Sequence, residues 1–366
     1  MHMKTADIHV IGAGPSGIFS SITALREGKE VILSEEHTSA GAPVHCSGLV
    51  SASGLEQLKD VVDYKKCTLN SITKANMHGK AEKFTLSFPL PKAYVIDRGK
   101  FDSLAMQKYA DEGGKCVFGE KITSFSQLKS TNIIGADGPI SSIARLFNFP
   151  PITSYCGCWQ GEFKYSCPQK DAVEVYFNPE ISPGFIGWAI PIDETHAKIG
   201  LGVGKNENLS HAKKSLLSKL EIKDAPTHEF GALIPLSPRK KCALSPIVAG
   251  KKFNISLCGD AAGQVKATSG GGIFFGAMCG RLAAMHAQNP ALYDKEWRKK
   301  YGMDLLLHRF LRLGFDSLSA DGTDLGIKAL KLMKFDSLLM EAGQMDEYSK
   351  MLSLNTLNAY MRVLTR

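Results

Sequence analysis

One arrangement near the start of the chain constrains its fold more than any other: a glycine turn set between an apolar strand and a helix. Residues 8–11 form a short apolar run suited to a buried parallel strand. The run leads straight into Gly12-Ala13-Gly14-Pro15-Ser16-Gly17, after which residues 18–27 read as a helix. Gly12 makes the tight turn, Gly14 lets the backbone approach a pyrophosphate, and Gly17 permits close packing of helix on strand. The helix N-terminus, with Ala13, Pro15 and Ser16 in the turn, points free amides and a positive dipole end at the phosphates. A second strand over residues 30–34 ends at Glu35, eighteen residues beyond Gly17, where a carboxylate can accept hydrogen bonds from a ribose. This is the spacing of a dinucleotide site, and it leaves FAD and NAD both open.

Two later segments bear on that choice. Ile133-Ile134-Gly135-Ala136-Asp137-Gly138 resembles the GADG segment of flavoprotein hydroxylases and reductases. Leu257-Cys258-Gly259-Asp260-Ala261-Ala262-Gly263 resembles the GDAAG segment of the same superfamily, and both follow apolar strands. A short carboxylate at a strand end, here Asp260, can hold a ribityl or ribose hydroxyl while the next helix aims its N-terminus at the cofactor. Arg98 matches an arginine that the superfamily places before a helix returning to its FAD domain. The resemblance implies FAD as cofactor, with Arg98, Ile122, Asp137, Gly259 and Asp260 joining Glu35 and the glycine turn against it.

These segments lie far apart, so the nucleotide fold is discontinuous and its inserts must form another lobe. The expected class is α/β. A Rossmann-type FAD-binding domain of the p-hydroxybenzoate hydroxylase kind takes residues 1–60, 93–150 and 250–292; an α+β substrate domain takes 61–92 and 151–249; a helical region takes 293–366.

The resemblance narrows over residues 259–273, GDAAGQVKATSGGGI, which look like the corresponding segment of geranylgeranyl reductases, including archaeal digeranylgeranylglycerophospholipid reductases. Gly270, Gly271 and Gly272 let backbone amides lie against a flat ring and open a helix at Ile273 toward it. That family carries a cysteine in a short glycine-containing loop after the ribose acid, a place held here by Cys46, Ser47 and Gly48. It also carries a strand of the form PxxYxWxFP that lines the prenyl cavity. Residues 183–191 keep both prolines and Trp188, but have Ile186 and Ile190 where the family has tyrosine and phenylalanine. The resemblance implies that Phe185, Ile186 and Trp188 meet the substrate; as residues alone, so apolar a strand also suits the core of a sheet.

Composition removes other classes. A hydrophobic fraction of 44% with 22% charged residues argues for a chain folded throughout. No apolar run approaches the ~20 residues of a membrane-spanning helix. The strand at residue 8 leaves no room for a cleaved leader, so a cytoplasmic location is expected. Nine cysteines without a repeating framework read as reduced core thiols. Cys156 and Cys158, one residue apart, have poor ligand spacing, and no metal is expected. A net charge of +8, dispersed along the chain, disfavours nucleic acid and suits anionic lipid or phosphorylated substrates. Residues 301–313 and 323–342 read as helices. In the second, Lys328, Lys331 and Lys334 recur beside Leu325, Ile327, Leu330 and Met333, a basic amphipathic pattern that fits a peripheral membrane contact or a solvated face over a core.

The activity implied by the resemblance is saturation of isoprenoid double bonds in the geranylgeranyl groups of archaeal-type ether lipids. That chemistry needs a hydride from reduced flavin, a proton for the other alkene carbon, and a dry cavity. Cys46 is the candidate proton source or alkene-positioning group, or else contacts FAD through its backbone alone; neighbouring His45 reads as structural. An FAD-dependent aromatic monooxygenase, a non-redox flavin-dependent prenyl cyclase and a flavin-binding lipid carrier stay open. No second GxGxxG identifies the electron donor, which is NAD(P)H or a ferredoxin-like protein.

Overall fold

The computed structural model describes residues 6–332 and 345–346. Ile8–Ile11 is buried at every position, as a strand covered on both faces must be. It forms the middle of a six-stranded sheet ordered 115–118, 31–35, 8–11, 132–135, 254–257, 243–244, in which the first five strands run parallel and Ala243–Leu244 pairs antiparallel. The chain leaves Ile8–Ile11 toward one edge and later returns to its other side at Asn132–Gly135. This reversal opens a crevice at the carboxyl ends of those two strands.

The helices that cover this sheet come from both ends of the sequence. Pro15–Arg26 packs against Ile273–Met285 with almost no gap: a Cβ on Gly276 would lie 2.4 Å from Ser16 Oγ, and one on Gly280 would lie 2.3 Å from the Ser16 carbonyl oxygen. Arg98–Asp111 lies against the first helix through stacked Phe19 and Phe101.

A second sheet of seven strands has the order 228–235, 155–164, 196–203, 187–191, 172–176, 74–78, 83–87. Pairing is antiparallel except between Ala172–Tyr176 and Lys74–His78. One face carries Ala197, Ile199 and Leu201 into a core with Trp159 and with Leu216 of the helix Leu209–Lys219. The period-two pleat turns the intervening residues to the opposite face. A small sheet of Leu49–Ser51, Ala93–Ile96 and Thr68–Ile72 joins the two lobes, with Ala93–Ile96 central and paired both to residues 49–51 and, across the expected boundary, to residues 68–72.

The helices Met303–Asp316 and Ala320–Leu332 follow. Arg312 fastens the first to the seven-stranded sheet, pairing with Asp316 at 2.5 Å and lying 4.7 Å from the Phe185 ring centroid. In the second, Lys331 and Lys328 both pair with Glu82, at 2.6 and 3.8 Å. Lys334 and residues 333–342 of the expected basic helix lie outside the described residues. No helix among the described residues is long and apolar enough to cross a membrane.

Candidate active site

A single cavity of about 1690 Å³ begins at the glycine turn and continues onto the free face of the seven-stranded sheet. Its two halves differ in chemistry.

The first half is the crevice. Gly12 has φ of 101°, and a Cβ there would lie 2.4 Å from the Ala136 carbonyl oxygen, so only glycine fits. A Cβ on Gly17 would lie 1.8 Å from the Gly12 carbonyl oxygen, whereas Gly14 faces open space. Pro15 occupies the first helical turn and no side chain caps it. The amides of Ser16 and Gly17 are therefore left for a ligand. Glu35 ends its strand with Oε2 accepting from the Ala13 amide at 2.6 Å and Oε1 accepting from His37. Oε1 takes both the His37 amide and Nδ1, and Oε2 keeps a further lone pair for a hydroxyl.

Arg98, Asp102, Cys46 and Asp260 converge across this crevice. Arg98 Nη2 donates to Asp102 Oδ2 at 2.7 Å, yet Arg98 Nε and Asp102 Oδ1 are buried with no partner among the described residues. Burial works against the Arg98 charge, but Asp102 and Cys46 beside it hold its pKa above the ordinary value. Burial pushes Asp260 up to about 6, with Arg98 partly opposing. The turn carrying Asp260 is braced from behind: Gln264 Oε1 accepts from the Gly259 amide, Gln264 Nε2 reaches Tyr293, and Arg239 donates to the Ala261 carbonyl at 2.6 Å.

The cysteine loop crosses the junction between the halves. Gly48 has φ of 75° and packs so closely on Ile96 that a Cβ would lie 2.2 Å from its carbonyl oxygen. Its amide approaches Cys46 Sγ at 3.4 Å. From the seven-stranded sheet, the buried Lys198 donates to the Ser47 carbonyl at 3.0 Å and fixes the loop to that sheet; burial lowers its pKa, while Glu162 and Cys46 raise it. His45 packs edge-on against Phe230. Opposite, Gly271, Gly272 and Ile273 border the cavity, with Gly272 preceding an uncapped helix N-terminus. Beneath Gly271 the buried Lys266 pairs with Asp346 at 2.8 Å, and Ser51 donates to the same carboxylate.

The second half is an apolar trough. Ile186, Trp188 and Ile190 alternate onto its floor with Val173, Val175 and Met77, and Leu307, Leu311, Phe315, Ile327 and Leu330 roof it. Ile122 also borders the cavity, on the crevice side.

One sequence expectation, Phe185, needs correction, and a second residue, Asp137, is placed more closely. Phe185 does not border the cavity: it lies in the turn before Gly187–Pro191, and its ring packs over Gly202 at the end of the same sheet face, in a core with Cys156 and Cys158 under Arg312. Asp137 borders the crevice, but its carboxylate is engaged by its own turn, accepting from Ser141 Oγ, Ser142 Oγ and the Ile143 amide at 2.6, 2.9 and 3.0 Å. Oδ2 is thus taken up in the turn around Gly138, while Oδ1, with one donor, keeps a lone pair. Sequence reading missed Asp102, Gln160, Lys198 and Lys266. Only Asp102 carried a local signal, its i,i+4 spacing from Arg98.

No protein-family model matches the chain. The digeranylgeranylglycerophospholipid reductase of Methanocaldococcus jannaschii is 27% identical, over 88% of this chain and 90% of that protein. A digeranylgeranylglycerophospholipid reductase of Methanothermobacter thermautotrophicus is 27% identical over 89% and 91%. Among solved structures, a geranylgeranyl bacteriochlorophyll reductase-like protein from Thermoplasma acidophilum superposes with a TM-score of 0.77 at 20% identity, covering 98% of this chain and 96% of that one. A flavin-dependent brominase superposes at 0.63 with 15% identity, over 98% and 99%. The fold is thus that of flavin-dependent halogenases, monooxygenases and reductases.

Proposed function

We propose that this chain is an FAD-dependent reductase that saturates isolated double bonds in the geranylgeranyl groups of archaeal-type ether lipids. The observation that carries this reading is the continuity of one cavity from a dinucleotide crevice into an apolar trough. The crevice fits FAD on its own terms: a glycine turn no Cβ could enter, uncapped helix N-termini, and the partnerless Arg98 Nε and Asp102 Oδ1. Glu35 would take the adenosine ribose, the amides of Ser16 and Gly17 the pyrophosphate, Asp260 and Arg98 the ribityl and phosphate oxygens, and Gly271 and Gly272 the ring edge. The reductases of similar sequence and length support the substrate class.

Bound and reduced, FAD supplies a hydride equivalent to one alkene carbon. The protein supplies the rest. Ile186, Trp188 and Ile190 exclude water and hold the chain along the sheet. Lys198 fixes the Cys46 loop over the end of the trough. Cys46, beside the Arg98 guanidinium, holds a proton at Sγ for the second alkene carbon. NAD(P)H or a ferredoxin-like protein is the proposed source of electrons. Met303, Leu306, Phe310 and Leu313 recur on one face of the helix whose other side roofs the trough, and Phe310 is 61% exposed. That face supports a peripheral seat on a membrane from which a lipid enters.

The test is anaerobic: chemically reduced, FAD-loaded protein is mixed with a geranylgeranylated glycerophospholipid, and flavin reoxidation and lipid mass are followed. Reoxidation with two mass units gained per double bond supports the reading. A stable reduced flavin and unchanged lipid reject it.

A further inference from the structure

One row of residues crosses the floor of the trough, strand to strand: Phe230, Gln160, Gly200, Trp188, Val175 and Met77. Gln160 is its one polar member, and it is 2% exposed. Its orientation follows from its neighbours. Gly200 has no side chain, so the Trp188 ring lies across it; a Cβ there would be 2.7 Å from Trp188 Cζ2. The indole thereby reaches past one strand and donates Nε1–H to Gln160 Oε1 at 3.0 Å. An indole N–H can only donate, so the carboxamide oxygen must face Trp188 and the NH2 group must face away. That NH2 has no hydrogen-bond partner among the described residues, and Gln160 borders the cavity. The donor is thus left available at the cavity wall, where a ligand oxygen would satisfy it.

We propose that Gln160 Nε2 donates to an oxygen of the substrate, so that the trough selects an oxygenated prenyl chain, an ether, ester or alcohol, over the oxygen-free hydrocarbon of equal length. The inference rests on the prenyl-reducing reading and sharpens its substrate class. It also sets polarity along the trough. The next residue of Gln160's strand on this face, Glu162, pairs in register with Lys198, which holds the Cys46 loop, and the adjoining Phe230 touches His45. The oxygen-bearing end of the chain is therefore held beside the cysteine loop, and the double bond nearest that oxygen is presented first.

The experiment titrates FAD-loaded protein with geranylgeraniol, its methyl ether, its acetate and the corresponding C20 hydrocarbon, reading dissociation constants from the flavin absorbance change. Wild type is expected to bind at least one oxygenated probe about tenfold more tightly than the hydrocarbon. Gln160→Leu removes the preference. The double variant Gln160→Leu/Trp188→Phe does the same without stranding an indole N–H, and FAD affinity and melting temperature report that it has folded. Equal binding of all probes by wild type overturns the inference while leaving the parent reading intact. Weakened FAD binding in Gln160→Leu with the preference retained assigns the amide to the cofactor and overturns it too. Binding of no probe overturns both.

Discussion

Arg98 and Asp102 stand one helical turn apart and share a single hydrogen bond of 2.7 Å, while the remaining Nε of one and Oδ1 of the other are sealed from solvent without a partner among the described residues. An ion pair built only for stability would have used both. Both residues also border the cavity, so a ligand there meets a charge pair that is only half satisfied from within the protein.

Arg98→Lys separates these roles. Lysine keeps the charge opposite Asp102 but has no planar fork, so the fold should survive and FAD binding should weaken. A hydrogen bond to a charged group contributes about 1.5–3 kcal/mol, so the expected loss in FAD affinity is roughly tenfold to a hundredfold, read by flavin fluorescence on apoprotein. An unchanged affinity would place the arginine outside the cofactor contacts.

Asp260 makes cofactor binding pH-dependent. Its carboxyl is raised to about 6 by burial. Hydroxyl donors from the cofactor favour the ionised form, so binding lowers that pKa and releases a proton. FAD affinity should therefore be full above pH 6 and fall by up to about tenfold per unit below it. Asp260→Asn should bind more weakly at neutral pH and lose this slope in titrations between pH 5 and 8.

Acid should also weaken the fold through His9. Burial lowers its pKa to about 4, and it sits between Ser34 and the Lys129 amide as a neutral ring. A histidine whose folded pKa lies below its unfolded value gives its full contribution above about pH 6.5 and loses it as pH falls toward 4, some 3 kcal/mol in all. Thermal unfolding at pH 7.5 and 4.5 checks this. His9→Asn should be less stable at the higher pH and should show a smaller drop between the two.

Two glycines in helices should respond oppositely to alanine. At Gly280 a Cβ meets a backbone carbonyl and forces the two helices apart, which should cost about 1–3 kcal/mol. At Gly314 a Cβ meets nothing within 4 Å, and alanine should stabilise by about 0.5–1 kcal/mol. Urea unfolding of both variants, with FAD retention for the first, measures the contrast.

The legible parts of this molecule were those written locally. Strand, glycine turn and helix are contiguous, so Gly12, Gly14, Gly17 and the acid at Glu35 could be read from spacing. Ile186 and Trp188 were placed by the motif, and Phe185 was misassigned because nothing in the motif shows that it precedes the strand and packs over Gly202, beyond the end of the cavity. The three donors on Asp137 were not legible, because a motif records a carboxylate and not what it accepts from. Gln160, Lys198 and Lys266 each take their meaning from a partner far along the chain, and no periodicity reports such a partner.

Ser16 touches glycines that the chain does not reach until residues 259, 276 and 280. During synthesis the opening strand and helix therefore emerge with one flank bare, and the crevice lacks the wall formed by Asp260 and residues 270–274 until the helix Ile273–Met285 has left the ribosome. Complete enclosure of the flavin is therefore a late event in the life of each molecule, tied to the arrival of that helix.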